Sequence, residues 1–233
     1  MATVLLVRHG RTAANAGGVL AGRTPGVHLD DVGKRQAEEL GTRMSALPIA
    51  AIVSSPLERC RQTAAALASA LSTSVRVVTD KRLTECGYGD WTGRPLKDLA
   101  KEPLWKVVQG QPSAVEFPGG ESMRAMQARG VEAVRDWDRR VTEEHGADAI
   151  WVAVSHADVI KAIVADALGT HLDNFQRIVV DPASVSVVSY TPMRPFVVRY
   201  NEHGDLTGLV PPKRRRSRKK AGSDAVVGGG AGS

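Results

Sequence analysis

The stretch Val4-Leu5-Leu6-Val7-Arg8-His9-Gly10-Arg11-Thr12 joins four aliphatic residues to an arginine and a histidine. An unbroken apolar run of this length is the pattern of a strand covered on both faces, which belongs to a parallel sheet flanked by helices. Such sheets collect ligands outside the carboxyl ends of their strands, where Arg8 and His9 fall. A guanidinium offers phosphate oxygens a planar fork of N–H donors, and a neutral imidazole can attack phosphorus. An isolated Arg-His pair can equally end a strand by meeting water, so the rest of the chain decides.

Working outward, Asp30 or Asp31 can cap a helix that turns Ala37, Leu40, Met44 and Leu47 toward a core. Residues 49–53 return as a strand closed by Ser54-Ser55-Pro56. A helix through Leu57, Cys60, Ala64, Leu67 and Leu71 follows, with Pro56 suited to its first turn. Residues 75–78 read as a further strand, and residues 80–93, rich in glycine and charge, as an exposed, shaped loop of the kind that carries function. One short helix is expected over 96–108, then a loop through Pro112 and Pro118 that can roof a cleft. The longest helix spans 121–144, capped by Ser122 and ended by His145-Gly146. Residues 150–154 form a second wholly apolar strand ending in Ser155-His156, before a helix over 159–168. Residues 185–190 and 195–200 read as a closing antiparallel pair at one edge. The predicted fold is α/β, a three-layer sandwich around a mostly parallel sheet with one antiparallel edge strand.

With 233 residues and 42% hydrophobic content, the chain fits one domain, placed at residues 1–210. The net charge of +6 is misleading until it is located. Seven of the 31 basic residues lie in the block from Lys213 to Lys220 and Asp224 is the sole acid beyond Val210, leaving 24 basic against 24 acidic residues in the body. A neutral body argues against a nucleic-acid-binding fold. Residues 211–233, with a Pro-Pro step, the basic block and a closing Gly-Gly-Gly-Ala-Gly-Ser, are predicted to be a disordered tail. It reads as a solubilising terminus or as a weak anchor for an anionic partner such as RNA, DNA or lipid. Two cysteines, Cys60 and Cys86, exclude a disulfide framework, and no apolar run is long enough for a membrane span. The first residues lack the pattern of a signal peptide, so the expected location is cytoplasmic. Histidine and cysteine spacings give no metal set, no cofactor is called for, and oligomeric state stays open.

Two of the predicted strand ends, Arg8-His9 and Ser155-His156, each deliver a histidine, and a third, Ser54-Ser55, precedes Arg59 by one helical turn. Set side by side, they would converge two imidazoles and two guanidiniums on one cleft, with Glu85 in Leu83-Thr84-Glu85 adding a carboxyl. Five ordered segments carry this pattern: Arg8-His9-Gly10-x-Thr12-x-x-Asn15, Ser54-Ser55-Pro56-Leu57-x-Arg59-x-x-x-Thr63-Ala64, Glu85 with Gly89-x-Trp91-x-Gly93, Pro118-Gly119-Gly120-Glu121-Ser122, and Ser155-His156. Over roughly residues 1–200 they resemble the histidine phosphatase superfamily, which includes the cofactor-dependent phosphoglycerate mutases.

The resemblance implies a phosphoglycerate mutase-like sandwich and a set of roles. His9 is implied as the nucleophile that becomes phosphohistidine, which splits one hard displacement into two easier ones. Arg8, Arg59 and His156 would hold the equatorial oxygens, where charge spreads during transfer. Glu85 would protonate the leaving oxygen and afterwards take a proton from water, a double duty that requires a raised pKa. Thr12, Asn15 and the amides around them are similar to the family's phosphate-loop contacts, while Arg23 either reaches the remote part of the substrate or is plain solvated charge. The chain departs from the pattern at Ala157-Asp158, where a glycine often follows the second histidine. Ala157 still offers its N–H if its φ stays negative, and Asp158 brings an acid that can pair with an arginine or tune His156.

A mutase must hold its dephosphorylated intermediate, exclude water and supply cations for a second acidic group. The segment Cys86-Gly87-Tyr88-Gly89-Asp90-Trp91-Thr92-Gly93 is similar to the short form in the family's phosphatases and lacks the adjacent arginine pair and longer insertion of the glycolytic mutases. Lys97, Lys101 and Lys106 are the charges left to compensate. The expected activity is hydrolysis of a small phosphomonoester, with a phosphomutase or a catalytically idle phospho-ligand binder as alternatives. Residues 96–117 are expected to line the entrance, with Trp105 either packing on an organic group or sitting in the core. His28, His145, His171 and His203 read as structural or exposed, and Cys60 and Cys86 as small buried hydrophobes beside the cleft.

Overall fold

In a computed structural model that describes residues 2–209, Val4, Leu5, Leu6 and Val7 are all buried. They belong to β1 (Thr3–Arg8), which with β2 (Ile49–Ser54), β3 (Val77–Thr79), β4 (Ile150–Ser155), β5 (Val185–Tyr190) and β6 (Pro195–Glu202) forms one sheet in the order β3-β2-β4-β1-β5-β6. The first four neighbours pair in parallel, and β5 and β6 close the sheet as an antiparallel hairpin against β1. The reversed strand is therefore β5, one position in from the edge. Residues 210–233, which include the tail read above at 211–233, lie outside the described residues.

The helices in chain order are α1 (Ala13–Ala16), α2 (Asp31–Met44), α3 (Glu58–Ala70), α4 (Leu96–Leu99), α5 (Pro103–Gly110), α6 (Met123–His145) and α7 (Ala157–Ala167). Alternate strand residues face opposite layers. Leu5, Val7, Val152, Val154 and Val187 share a core with Leu40, Met44, Cys60 and Leu67 of α2 and α3. Val4, Leu6, Trp151, Ala153 and Val188 join Met126, Val134, Ile160 and Ile163 of α6 and α7. Each fully buried aliphatic side chain contributes about 2 kcal/mol to holding the layers. Polar caps fix where the helices begin. The Asp30 carboxylate accepts from the Gly33 amide at 2.7 Å, and Ser122 Oγ accepts from the Ala125 amide at 3.1 Å.

Two expectations need correction. The single helix expected over 96–108 is two, α4 and α5, because Pro103 has no N–H for the previous turn and starts a new helix instead. Nor is the 80–93 loop exposed: Leu83, Cys86, Tyr88 and Trp91 are buried. Arg129 of α6 donates to the carbonyls of Arg82 and Thr84, both at 2.6 Å, and of Glu85 at 3.1 Å. Its partner Glu121 lies at 2.6 Å. One guanidinium on a distant helix thus satisfies the carbonyls that would otherwise need water.

The turn after β1 is held by backbone contact. A Cβ at Gly33 would fall 1.9 Å from the Arg11 carbonyl oxygen, and one at Gly10 would fall 2.5 Å from that of Gly33. Gly33→Ala is expected to cost about 1–3 kcal/mol and to displace the loop carrying His9. Urea denaturation against wild type, with exposed Lys34→Ala as control, checks this; an unchanged midpoint would mean the contact is not rigid.

Candidate active site

Parallel register brings the strand ends together: Arg8 of β1 pairs with Ser155 of β4, and Ser54 of β2 with Val154. The residues that follow, His9, His156 and Ser55, are buried. The two imidazole centroids lie 5.2 Å apart, and Arg59, buried in the first turn of α3, reaches both. Its Nε donates to His9 Nε2 at 3.2 Å, while Nη2 lies 3.2 Å from His156 Nδ1 and donates to the Gly22 carbonyl at 2.7 Å.

Hydrogen-bond chemistry fixes the tautomers. His9 Nδ1 is 2.7 Å from the Gly10 carbonyl, which can only accept, so Nδ1 carries the hydrogen and Nε2 keeps its lone pair. His156 Nδ1 faces a guanidinium, so its hydrogen sits on Nε2 and is donated to Ser55 Oγ at 2.8 Å. Burial, then the charge of Arg59, pushes both imidazoles well below their usual pKa and holds them neutral. Arg8 donates through Nη1 to the Val180 carbonyl at 2.6 Å. Two buried donors, Arg8 Nε and Arg59 Nη1, have no partner among the described residues. Unpaired buried N–H groups are costly, and an anion between them is the ligand that would satisfy both.

Glu85 stands on the other side. Its Oε1 accepts from the Cys86 amide at 2.9 Å, and Oε2 lies 3.9 Å from His156 Nδ1. Burial and then the neighbouring Asp158 carboxylate raise its pKa to about 7, against the opposing pull of Arg59 and Arg8. The carboxyl is therefore poised to give and take a proton near neutrality. Asp158 accepts from Tyr88 Oη at 2.8 Å and pairs with Lys161 at 3.6 Å rather than with an arginine.

Arg8, His9, Arg59, Glu85 and Asp158 line a cavity of about 560 Å³ together with Thr12, Asn15 and Ala157, whereas His156 is fully buried and does not line it. Asn15 Oδ1 is taken by the Thr12 amide and hydroxyl at 3.1 and 2.9 Å, which leaves its NH2 for a ligand. Ala157 is the first residue of α7 and does not have positive φ, so its amide and the helix dipole face the same space. Arg23 is not placed there: it pairs with Glu121 at 2.7 Å and donates to the Glu85 carbonyl at 2.8 Å. Lys97, Lys101 and Lys106 do not line the cavity either. His28, His145, His171 and His203 are exposed, Cys60 and Cys86 are buried thiols, and Trp105 is half-buried at the cavity wall. Among the described residues no group of three His, Cys, Asp or Glu is placed to hold a metal ion.

The sequence reading gave no role to several residues that hold the site. Ser55 Oγ accepts from His156 Nε2, Thr63 Oγ1 accepts from the Gly10 amide at 3.1 Å, and Tyr88 Oη donates to Asp158. Ser55 and Thr63 stood inside quoted motif segments, which was the available signal. For Tyr88 there was none beyond proximity to Glu85.

The sequence pattern of the histidine phosphatase superfamily, branch 1, matches residues 4–203. The chain belongs to this superfamily. Fructose-2,6-bisphosphatase TIGAR of Xenopus tropicalis is 30% identical over 224 residues, covering 92% of this chain and 80% of that protein. Phosphoserine phosphatase 1 of Hydrogenobacter thermophilus is 30% identical over 207 residues, covering 86% and 92%. The solved structure of a mycobacterial glucosyl-3-phosphoglycerate phosphatase superposes with a TM-score of 0.76 at 26% identity, covering 86% of this chain and 99% of that one. The histidine phosphatase fold expected from the motifs is the one observed, and the chain is a phosphatase by family, with mutase-like members among its relatives.

Proposed function

We propose that this chain hydrolyses phosphate monoesters through a phosphohistidine on His9, with Glu85 as the proton donor and then the proton acceptor. The observation that carries the reading is His9 Nε2: the Nδ1 bond to Gly10 leaves it unprotonated, and its lone pair, which accepts from Arg59 Nε at 3.2 Å, is released when a phosphate oxygen takes that donor. A phosphoryl group entering between Arg8 and Arg59 meets that nitrogen. Nε2 forms the new bond to phosphorus while the ester P–O bond breaks. The leaving oxygen takes the Glu85 proton, and the Arg8 and Arg59 guanidiniums absorb the charge on the oxygens, while His156, whose one N–H goes to Ser55, holds Arg59 in place. Water, deprotonated by the Glu85 carboxylate, then attacks phosphorus, which returns His9 to its neutral form and Glu85 to its protonated one.

Hydrolysis is favoured over mutase chemistry because none of the three nearby lysines reaches the cavity. Incubation with 3-phosphoglycerate and its bisphosphate primer is expected to release inorganic phosphate with little isomerisation. Efficient isomerisation with little free phosphate would reverse the order. Two unpaired buried thiols and the absence, among the described residues, of a helix able to cross a membrane support a cytoplasmic setting.

A further inference from the structure

Away from Arg8, His9 and Arg59, the cavity changes character. One part of its lining is aromatic: Trp91 and Trp105 stack with centroids 6.2 Å apart and planes at 26°, and Phe117 meets Trp91 edge-on at 5.3 Å. Leu20, Val108 and Ile178 make much of the remainder aliphatic. The charge balance is the reverse of what a second anion needs. Among the described residues, the one cation lining this outer part is Lys161. It is already committed to Asp158 at 3.6 Å, to Gln176 Oε1 at 3.3 Å and to the Phe175 face at 5.3 Å. Against it stand two carboxylates, Asp158 and Asp181.

A second phosphate or a carboxylate on the substrate would leave water for a chamber that offers it no uncommitted cation: Lys161 is matched by Asp158, and Asp181, held by the Asn201 side-chain amide at 2.8 Å, leaves the balance negative. A flat apolar ring would lose nothing by leaving water and would gain a stacking partner in the Trp91–Trp105 pair. We infer that the cleft selects monophosphates of flat, ring-bearing apolar alcohols that carry no second anionic group. Trp105 is the specificity-determining residue in this account: it sits on α5, outside the phosphate cradle, and presents its ring to the cavity wall. The inference deepens the hydrolase reading of the same cleft and rests on it.

The test compares kcat/KM for benzyl phosphate and para-carboxybenzyl phosphate, whose alcohols differ little in acidity, so that the carboxylate is the variable. Benzyl phosphate is expected to be favoured by about tenfold or more. The preference for naphthylmethyl phosphate over glycerol phosphate is expected to shrink about fivefold in Trp105→Ala and to recover in Trp105→Phe. Equal rates on the benzyl pair, or a preference for the carboxylate, overturn the inference while leaving hydrolysis standing. So does a naphthylmethyl preference that Trp105→Ala does not move. The benzyl pair decides alone if Trp105→Ala fails to fold. Phosphate release from every ester at no more than the His9→Ala rate overturns the hydrolase reading itself.

Discussion

Replacing His9 with alanine is expected to cut kcat by about ten-thousand-fold or more, with little change in substrate affinity. The Arg8 and Arg59 donors remain to bind a phosphate, so the loss falls on the step that forms the nitrogen–phosphorus bond. No other neutral nitrogen can take over readily. The nearest, His156, has its hydrogen directed at Ser55 and its other nitrogen against Arg59. Stability is expected to fall by about 1–3 kcal/mol, from the small buried cavity and from the buried Arg59 Nε left without its acceptor. Rapid quench with radiolabelled substrate is the decisive measurement. Wild type should hold an acid-labile, base-stable label that His9→Ala lacks; turnover surviving in the variant, or label on another side chain, would remove the nucleophile from the account.

Glu85→Gln is expected to slow alkyl phosphates by about a hundred- to ten-thousand-fold and to spare esters whose leaving alcohol is acidic enough to depart without a proton. The wild-type rate should fall as pH rises through about 7, where Glu85 loses the proton it must donate, and that limb should vanish in the variant. The groups facing this carboxyl are Asp158, Arg59, Arg8, His156 and the Cys86 amide, and burial followed by Asp158 outweighs the cations. Stability has the same origin. The folded pKa lies above the unfolded value of 4.5, so the neutral carboxyl favours the fold at low pH. That advantage is lost as pH climbs from the unfolded value to about 7. Glu85→Gln, which cannot ionise, should therefore unfold at higher denaturant than wild type at pH near 8, by on the order of 1–3 kcal/mol. A variant that keeps the basic limb, or gains no stability there, would assign the proton to another group.

How much of this was legible in the chain follows from which contacts are local. Arg8, His9, Ser155 and His156 end wholly apolar strands, and Arg59 sits one turn into the helix after a third. Strand ends in a parallel sheet share one edge, so their convergence was readable from spacing alone. Glu85 was readable only through its motif. The burial of its loop depends on Arg129, which is 44 residues away and donates to the Glu85 carbonyl, and on Tyr88 and Trp91 packing with Phe117. Glycine and charge dominate that loop locally, and no local signal reports that its charges are also matched from elsewhere: Arg82, for instance, is met by Asp136 of α6 at 2.7 Å. Arg23 stayed open between a substrate contact and solvated charge for the same reason. Its guanidinium looked uncommitted beside the glycines, yet Glu121, almost a hundred residues on, claims it.

The buried thiol of Cys60 touches His156 Nε2 at 3.4 Å. Its burial pushes the pKa up to about 12, so almost none of it is thiolate at any pH the cell visits. Alkylating agents and peroxide attack thiolate, and here they find none. Cys60 is therefore expected to resist alkylation and peroxide in the folded protein, and phosphate release is expected to survive a peroxide treatment that stops a cysteine-dependent phosphatase.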